Sequence, residues 1–168
     1  MPVTMTGFEH RVAWREFQRV ATRPDRGTED AYIKAGKHVS YDFGGPTGSF
    51  RVTAVRATIA VNQAESWVVN GKATDELLAH EQAHFDMTAL GMREEAQRVS
   101  SLTGRNQQDL TSQYAQIRDE INAKIAAANA RYDTRTDHGD NKPAQRRWLR
   151  SIQAAKARDD GTIDNLPG

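Results

Sequence analysis

His80 and His84 stand four residues apart in Leu77-Leu-Ala-His-Glu-Gln-Ala-His-Phe-Asp86, and Glu81 directly follows the first of them. On a helix, positions four apart lie one above the other on one face, so both imidazoles can address a single metal ion. Zinc accepts imidazole nitrogen in a tetrahedral shell. Glu81 is one helical step, ~100°, from His80, placed to work on a water molecule rather than to bind the ion. In such a site zinc lowers the pKa of a bound water from ~15.7 to ~7 and polarises a carbonyl, while the glutamate takes the water proton and passes it to a leaving amine. The expectation is a zinc (Zn2+) metallohydrolase, in the first place a peptidase, with Glu81 as general base.

A motif this short can also arise by chance on an amphipathic helix. Its surroundings argue for the metal. On the helical wheel Leu78, Phe85, Ala89 and Met92 fill one sector, Leu77, Met87 and Gly91 flank the histidines, and only Gln82, Asp86 and Arg93 point to a polar side. The histidines are thus predicted to sit on a largely buried helix, where two imidazoles and a carboxylate are costly unless paired or metal-bound.

A catalytic zinc needs a third protein ligand and an open position. The sixth residue after His84 is Leu90, so the extended three-ligand spacing is absent. Glu94 and Glu95 lie about 15 Å further along the same helix, out of reach. Two candidates remain: His138, in the polar stretch Thr136-Asp-His-Gly139, and Glu120, on the flank of a second helix amid ordinary surface charges. Spacing favours His138. His10 and His38 have no companions at ligand spacing, which makes them structural or surface residues. No nucleophile elbow, phosphate loop or dinucleotide fingerprint competes.

The elements that must carry these residues divide the chain in two. His38–Phe43 alternates loosely, Gly44–Gly48 is a turn cluster, and Phe50–Val61 is a β-branched run, which together predict a hairpin; Ser66–Val69 reads as a third short strand. Arg23–Gly27 reads as a loop, and Val12, Trp14, Phe17 and Val20 leave strand and short helix open. The second half is helical. Thr74 caps a helix running to about Gly104; a second spans about Asn106 to Tyr132 with Leu110, Tyr114, Ile117, Ile121, Ile125 and Ala128 on one stripe; a third starts near Pro143 after a loop at 133–141. A single α+β domain over 1–168 follows: strand-rich 1–70, helical 74–158, a frayed tail 159–168, and a small antiparallel sheet packed on two or three helices.

The 168 residues suffice for one core, and 27% charged against 38% hydrophobic residues fits a folded chain. No stretch approaches the ~20 apolar residues of a membrane span. A formal net charge of +1 argues against nucleic acid as the partner, and zero cysteines exclude disulfides, thiolate metal sites and a cysteine nucleophile. Met1–Phe8 shows no secretory signal pattern, so localisation is open.

Several separated segments resemble the bacterial family of domain of unknown function 922, described as predicted secreted zinc-dependent proteases. They are Trp14 and Phe17, Ser66-Trp67, Leu78-x-His-Glu-Gln-x-His-Phe-Asp86, Tyr132-Asp-x-x-Thr-x-His-Gly139 and Gln145-x-x-Trp148. The resemblance implies a zincin-like peptidase acting on a peptide or protein, a secreted or periplasmic setting, and His138 as third ligand beside His80 and His84. It also raises Tyr132 as a catalytic donor to the oxyanion, and Asp133 or Asp86 as acceptor of a ligating histidine's second N–H. An edge strand between Phe50 and Val69 is expected to pair with an extended peptide. The rival reading is a non-catalytic zinc-stabilised interaction domain, its metal closed off by Asp133 or Asp137. A helical adaptor with chance histidines is the third.

Overall fold

A computed structural model describes residues 1–24 and 27–168. The loop expected at Arg23–Gly27 includes Asp25 and Arg26, which lie outside the described residues. The predicted hairpin is the longest β unit: β4 (Ala35–Gly44) runs antiparallel to β5 (Phe50–Val61). Burial along β5 alternates with a change of phase, Val52 inward and then Val55, Ala57 and Ile59. A register shift at Asp42/Phe43 leaves Thr53 unopposed and resets the pleat, as a bulge does.

Two sheets form rather than one, and both are mixed. β1 (Val3–Thr6) lies parallel to β5, and β7 (Thr103–Gly104) pairs with the start of β5. After a 3-10 turn at Trp14–Glu16, β2 (Gln18–Val20) pairs in parallel with β6 (Trp67–Val69), which also pairs with β3 (Ala31–Tyr32). The edge expected between Phe50 and Val69 is therefore corrected: β5 has neighbours on both sides and β6 is the middle strand. Among the described residues β4 and β1 are the edges of the larger sheet, and β2 and β3 those of the smaller one. Asn62 N–H donates to Lys34 O at 2.8 Å, which fixes the ladder phase. Gly36 and His38 thus turn their backbone groups to β5, and Ala35 and Lys37 turn theirs outward.

Helix α1 (Asp75–Ser100) starts where expected, Thr74 Oγ1 accepting from Leu77 N–H at 3.1 Å. It packs on β4 and β5 on one side and on α2 (Gln107–Thr136) and α3 (Lys142–Lys156) on the other. Asp86, Arg93, Glu94 and Glu95, on what reads as its polar side or beyond reach of the metal, are all buried. Each is paired: Asp86 with Lys156 at 2.8 Å, Glu94 with Lys124 at 2.8 Å, Glu95 with Lys37, and Arg93 with the backbone oxygens of Ala155 and Gly161. Gly91 lets α2 approach, since a Cβ there would come within 2.6 Å of Ile125.

Three boundaries differ from the sequence reading. Helix α1 stops at Ser100, short of Gly104, because Thr103 and Gly104 pair with β5 as β7. Helix α2 continues past Tyr132 to Thr136, because no breaker intervenes before Asp137 and His138, both left-handed at φ 49°. Asp133 is consequently helical and not part of a loop. The tail is docked: Ile163 and Leu166 are buried in the main hydrophobic cluster around a 3-10 turn at Ile163–Asn165.

Candidate metal centre

The extension of α2 decides the site. Asp133 reaches across to the two histidines of α1, its Oδ1 lying 2.9 Å from His84 Nε2 and 3.2 Å from His80 Nε2, while the two Nε2 atoms are 3.2 Å apart. A tetrahedral ion with ligands at ~2.0–2.1 Å holds its ligand atoms ~3.3 Å apart, so the triangle is close to the size that zinc requires. Asp133 Oδ1 is buried and receives no hydrogen bond, although both ring nitrogens are within reach. Two imidazole nitrogens and a carboxylate oxygen converging on one point are the arrangement of a cation site once the nitrogens are unprotonated. The group could hold a metal ion.

The far sides of the rings fix their tautomers. His84 Nδ1 lies 2.5 Å from Asn129 Oδ1, and His80 Nδ1 lies 3.2 Å from Gln145 Oε1. Both amides are oriented by their other ends, Asn129 Nδ2 donating to Ile125 O and Gln145 Nε2 to Glu76 O. An oxygen at Nδ1 places the proton there and leaves the Nε2 lone pair for the ion. Asn129 and Asp133 are four apart on α2, the same spacing as His80 and His84 on α1, so one face of each helix meets the other. Gly139 seals the turn over this pair: at φ 93° its Cβ would come within 2.9 Å of Gln145 Oε1 and 3.3 Å of His80 Nδ1.

Burial sets the electrostatics. Glu81, 3% exposed, has its carboxyl pushed up to about 7 by desolvation, against the pull of the His84 charge. Desolvation would lower His84, but Asp133 and Glu81 beside it raise it to about 9. The same burial lowers His80 despite the Asp133 contact. Asp133 sits well below the usual carboxylate range, because the two imidazoles outweigh the burial that would raise it.

The other expected residues fall around this centre. His138 is on the turn after α2, 44% exposed at its side chain, with Nδ1 3.1 Å from Glu29 Oε1; it groups with Glu29 and Asp133 rather than with His80 and His84. Glu120 is on the surface, paired with Arg98 at 2.6 Å. Asp86 serves Lys156, Gln82 and Gln153 instead of a ligating histidine. Asp137 is exposed at the end of α2. The Tyr132 ring stacks on His80 at 4.7 Å and meets His84 edge-on at 5.1 Å, and burial raises its wholly buried hydroxyl, which has no hydrogen-bond partner. Sequence reasoning missed the orienting roles of Asn129 and Gln145; the four-residue spacing of Asn129 to Asp133 was the available signal for the first.

His80, Glu81 and His84 open onto a cavity of about 410 Å3. Its walls are the segment Glu29–Lys37 on one side and Ile125, Ala126 and Asn129 of α2 on the other, with Leu77 and Thr88 of α1 beneath. Ala35 and Lys37, whose backbone groups are not taken up by β5, are among the lining residues. Among the described residues no helix is long and apolar enough to cross a membrane.

No curated protein and no solved structure matches the chain. Residues 14–139 match the family described as "Bacterial protein of unknown function (DUF922)", a span that includes the two histidines, Glu81, Asp133 and His138. With three quarters of its length in that match, the chain belongs to this bacterial family.

Proposed function

We propose that the chain is a zinc-dependent hydrolase of peptide bonds, with His80, His84 and Asp133 holding the metal. The observation that carries this reading is the convergence of the three ligand atoms, 2.9–3.2 Å apart, with the unpartnered Asp133 Oδ1 among them. Zinc, when bound, supplies a Lewis acid that acidifies water and polarises a carbonyl. Glu81 accepts the proton of the attacking water and delivers it to the leaving amine, a task suited to a carboxyl poised near neutrality. Asn129 and Gln145 hold the histidine rings in the binding tautomer, and the stacked Tyr132 ring fixes the plane of His80 rather than donating to an oxyanion.

An extended peptide fits the cavity between β4 and α2. The outward N–H and C=O groups of Ala35 and Lys37 offer it strand pairing, which holds a scissile bond without regard to its side chains. His138 is left at the cavity wall beside Glu29.

The test is metal analysis of purified protein combined with cleavage of a quenched fluorescent peptide library. One equivalent of zinc with activity that disappears in Glu81→Gln, metal retained, is the expected result. A parent protein that holds zinc but cleaves nothing in the library would instead favour the closed, non-catalytic site.

A further inference from the structure

Asp133 belongs to two groups of ligand-type atoms. One is the centre already described; the other consists of Glu29, Asp133 and His138, whose donor atoms all lie within 4.8 Å of one another. We propose that Glu29, Asp133 and His138 form a second, weaker divalent-cation site, bridged to the first through the Asp133 carboxylate.

The donors are one imidazole and two carboxylates from three different parts of the chain: the segment before β3, the last turn of α2 and the turn after it. Imidazole and carboxylate suit zinc, cobalt or manganese, and two carboxylates supply the two negative charges that a divalent ion neutralises. His138 Nδ1 and Glu29 Oε1 are 3.1 Å apart, again a ligand–ligand spacing. An independent observation is where the group sits. Glu29, His80 and His138 line both the main cavity and a second one of about 290 Å3, whose wall also carries Lys72, Glu76, Asp140 and Lys142. Glu29 and His138 therefore border both cavities, while Asp133 lines the first, so the group is reachable by ions from either. A cation held there joins the Glu29 wall to the α2 turn across the path of an extended substrate.

Weaker binding follows from the structure. The side chains of Glu29 and His138 are 30% and 44% exposed, against 5% and 16% for His80 and His84. Asp133 already serves the first ion, and two cations sharing one carboxylate repel each other. The second site thus fills only when metal exceeds one equivalent, and its occupant obstructs the cavity.

This inference rests on the first site being a metal site, and the experiment separates the two. Metal-free protein is titrated with zinc against a chromophoric chelator, alongside Glu29→Gln and His138→Asn; asparagine tolerates the left-handed backbone at position 138. Circular dichroism confirms that each variant is folded. Two equivalents are expected for the parent, the second at least about tenfold weaker, and in both variants the second is lost while the first keeps its affinity. A single equivalent in the parent overturns the second site and leaves the first intact. Retention of the second equivalent in both variants also overturns it. Loss of first-site affinity in His138→Asn overturns it differently, by making His138 a ligand of the first ion, and no binding at all removes both sites.

Discussion

Replacing Glu81 by glutamine should stabilise the metal-free protein at alkaline pH while abolishing the proposed hydrolysis. The carboxyl is 3% exposed, and burial raises it from 4.5 to about 7. Because the folded value exceeds the unfolded one, this group's stabilising contribution is complete below about 4.5 and is lost as pH rises through about 7. At ~1.36 kcal/mol per pH unit the full loss is about 3 kcal/mol, and most of it falls between pH 5 and 8. Glutamine has nearly the same shape and no charge to desolvate, so it escapes that loss. Denaturant unfolding of parent and Glu81→Gln, both in chelator, should show a stability gap that widens by about 2–3 kcal/mol from pH 5 to pH 8. A gap that stays constant across that range would mean that Glu81 ionises as it does in water, and would refute the claim that the base is held in a dry site.

Zinc affinity should rise with pH, because His84, raised to about 9, must shed a proton before its nitrogen can bind. Competition titrations between pH 7 and 9 should show about tenfold tighter binding per pH unit, levelling above that range. Asn129→Ala and Gln145→Ala should each weaken zinc binding by roughly 10–100-fold through loss of ring orientation, with the fold retained by circular dichroism. Asp133→Ala removes the proposed third ligand and should cost more than either in the same titration. Gly91→Val should destabilise the protein by about 1–3 kcal/mol in denaturant unfolding, because its side chain would run into Ile125 where α1 and α2 touch.

Much of this was legible in the residues. The spacing of His80 and His84, the cap at Thr74, the apolar stripe of α2 and the turn glycines between β4 and β5 are local signals, and each of these elements formed, with only the helix ends displaced. The mixed sheets were not legible, since pairing partners such as Val3 with Val55 or Gln18 with Trp67 are set by long-range contacts that no local period encodes. Nor was the burial of Arg93, Glu94 and Glu95. Charged residues read as surface until partners from β4, α2 and α3 are brought to them.

By itself, then, the sequence determined the two-histidine helix, its glutamate and the α+β character of the fold, because helical period and capping are properties of neighbouring residues. Only the tertiary structure showed which side chain stands beside the two imidazoles to form a group that could hold a metal. One extra turn of α2 carries Asp133 to the imidazoles and leaves His138 beside Glu29. A ligand set drawn from two helices depends on where each helix stops and how the two cross, and the crossing is fixed by close contact at Gly91 and Ile125.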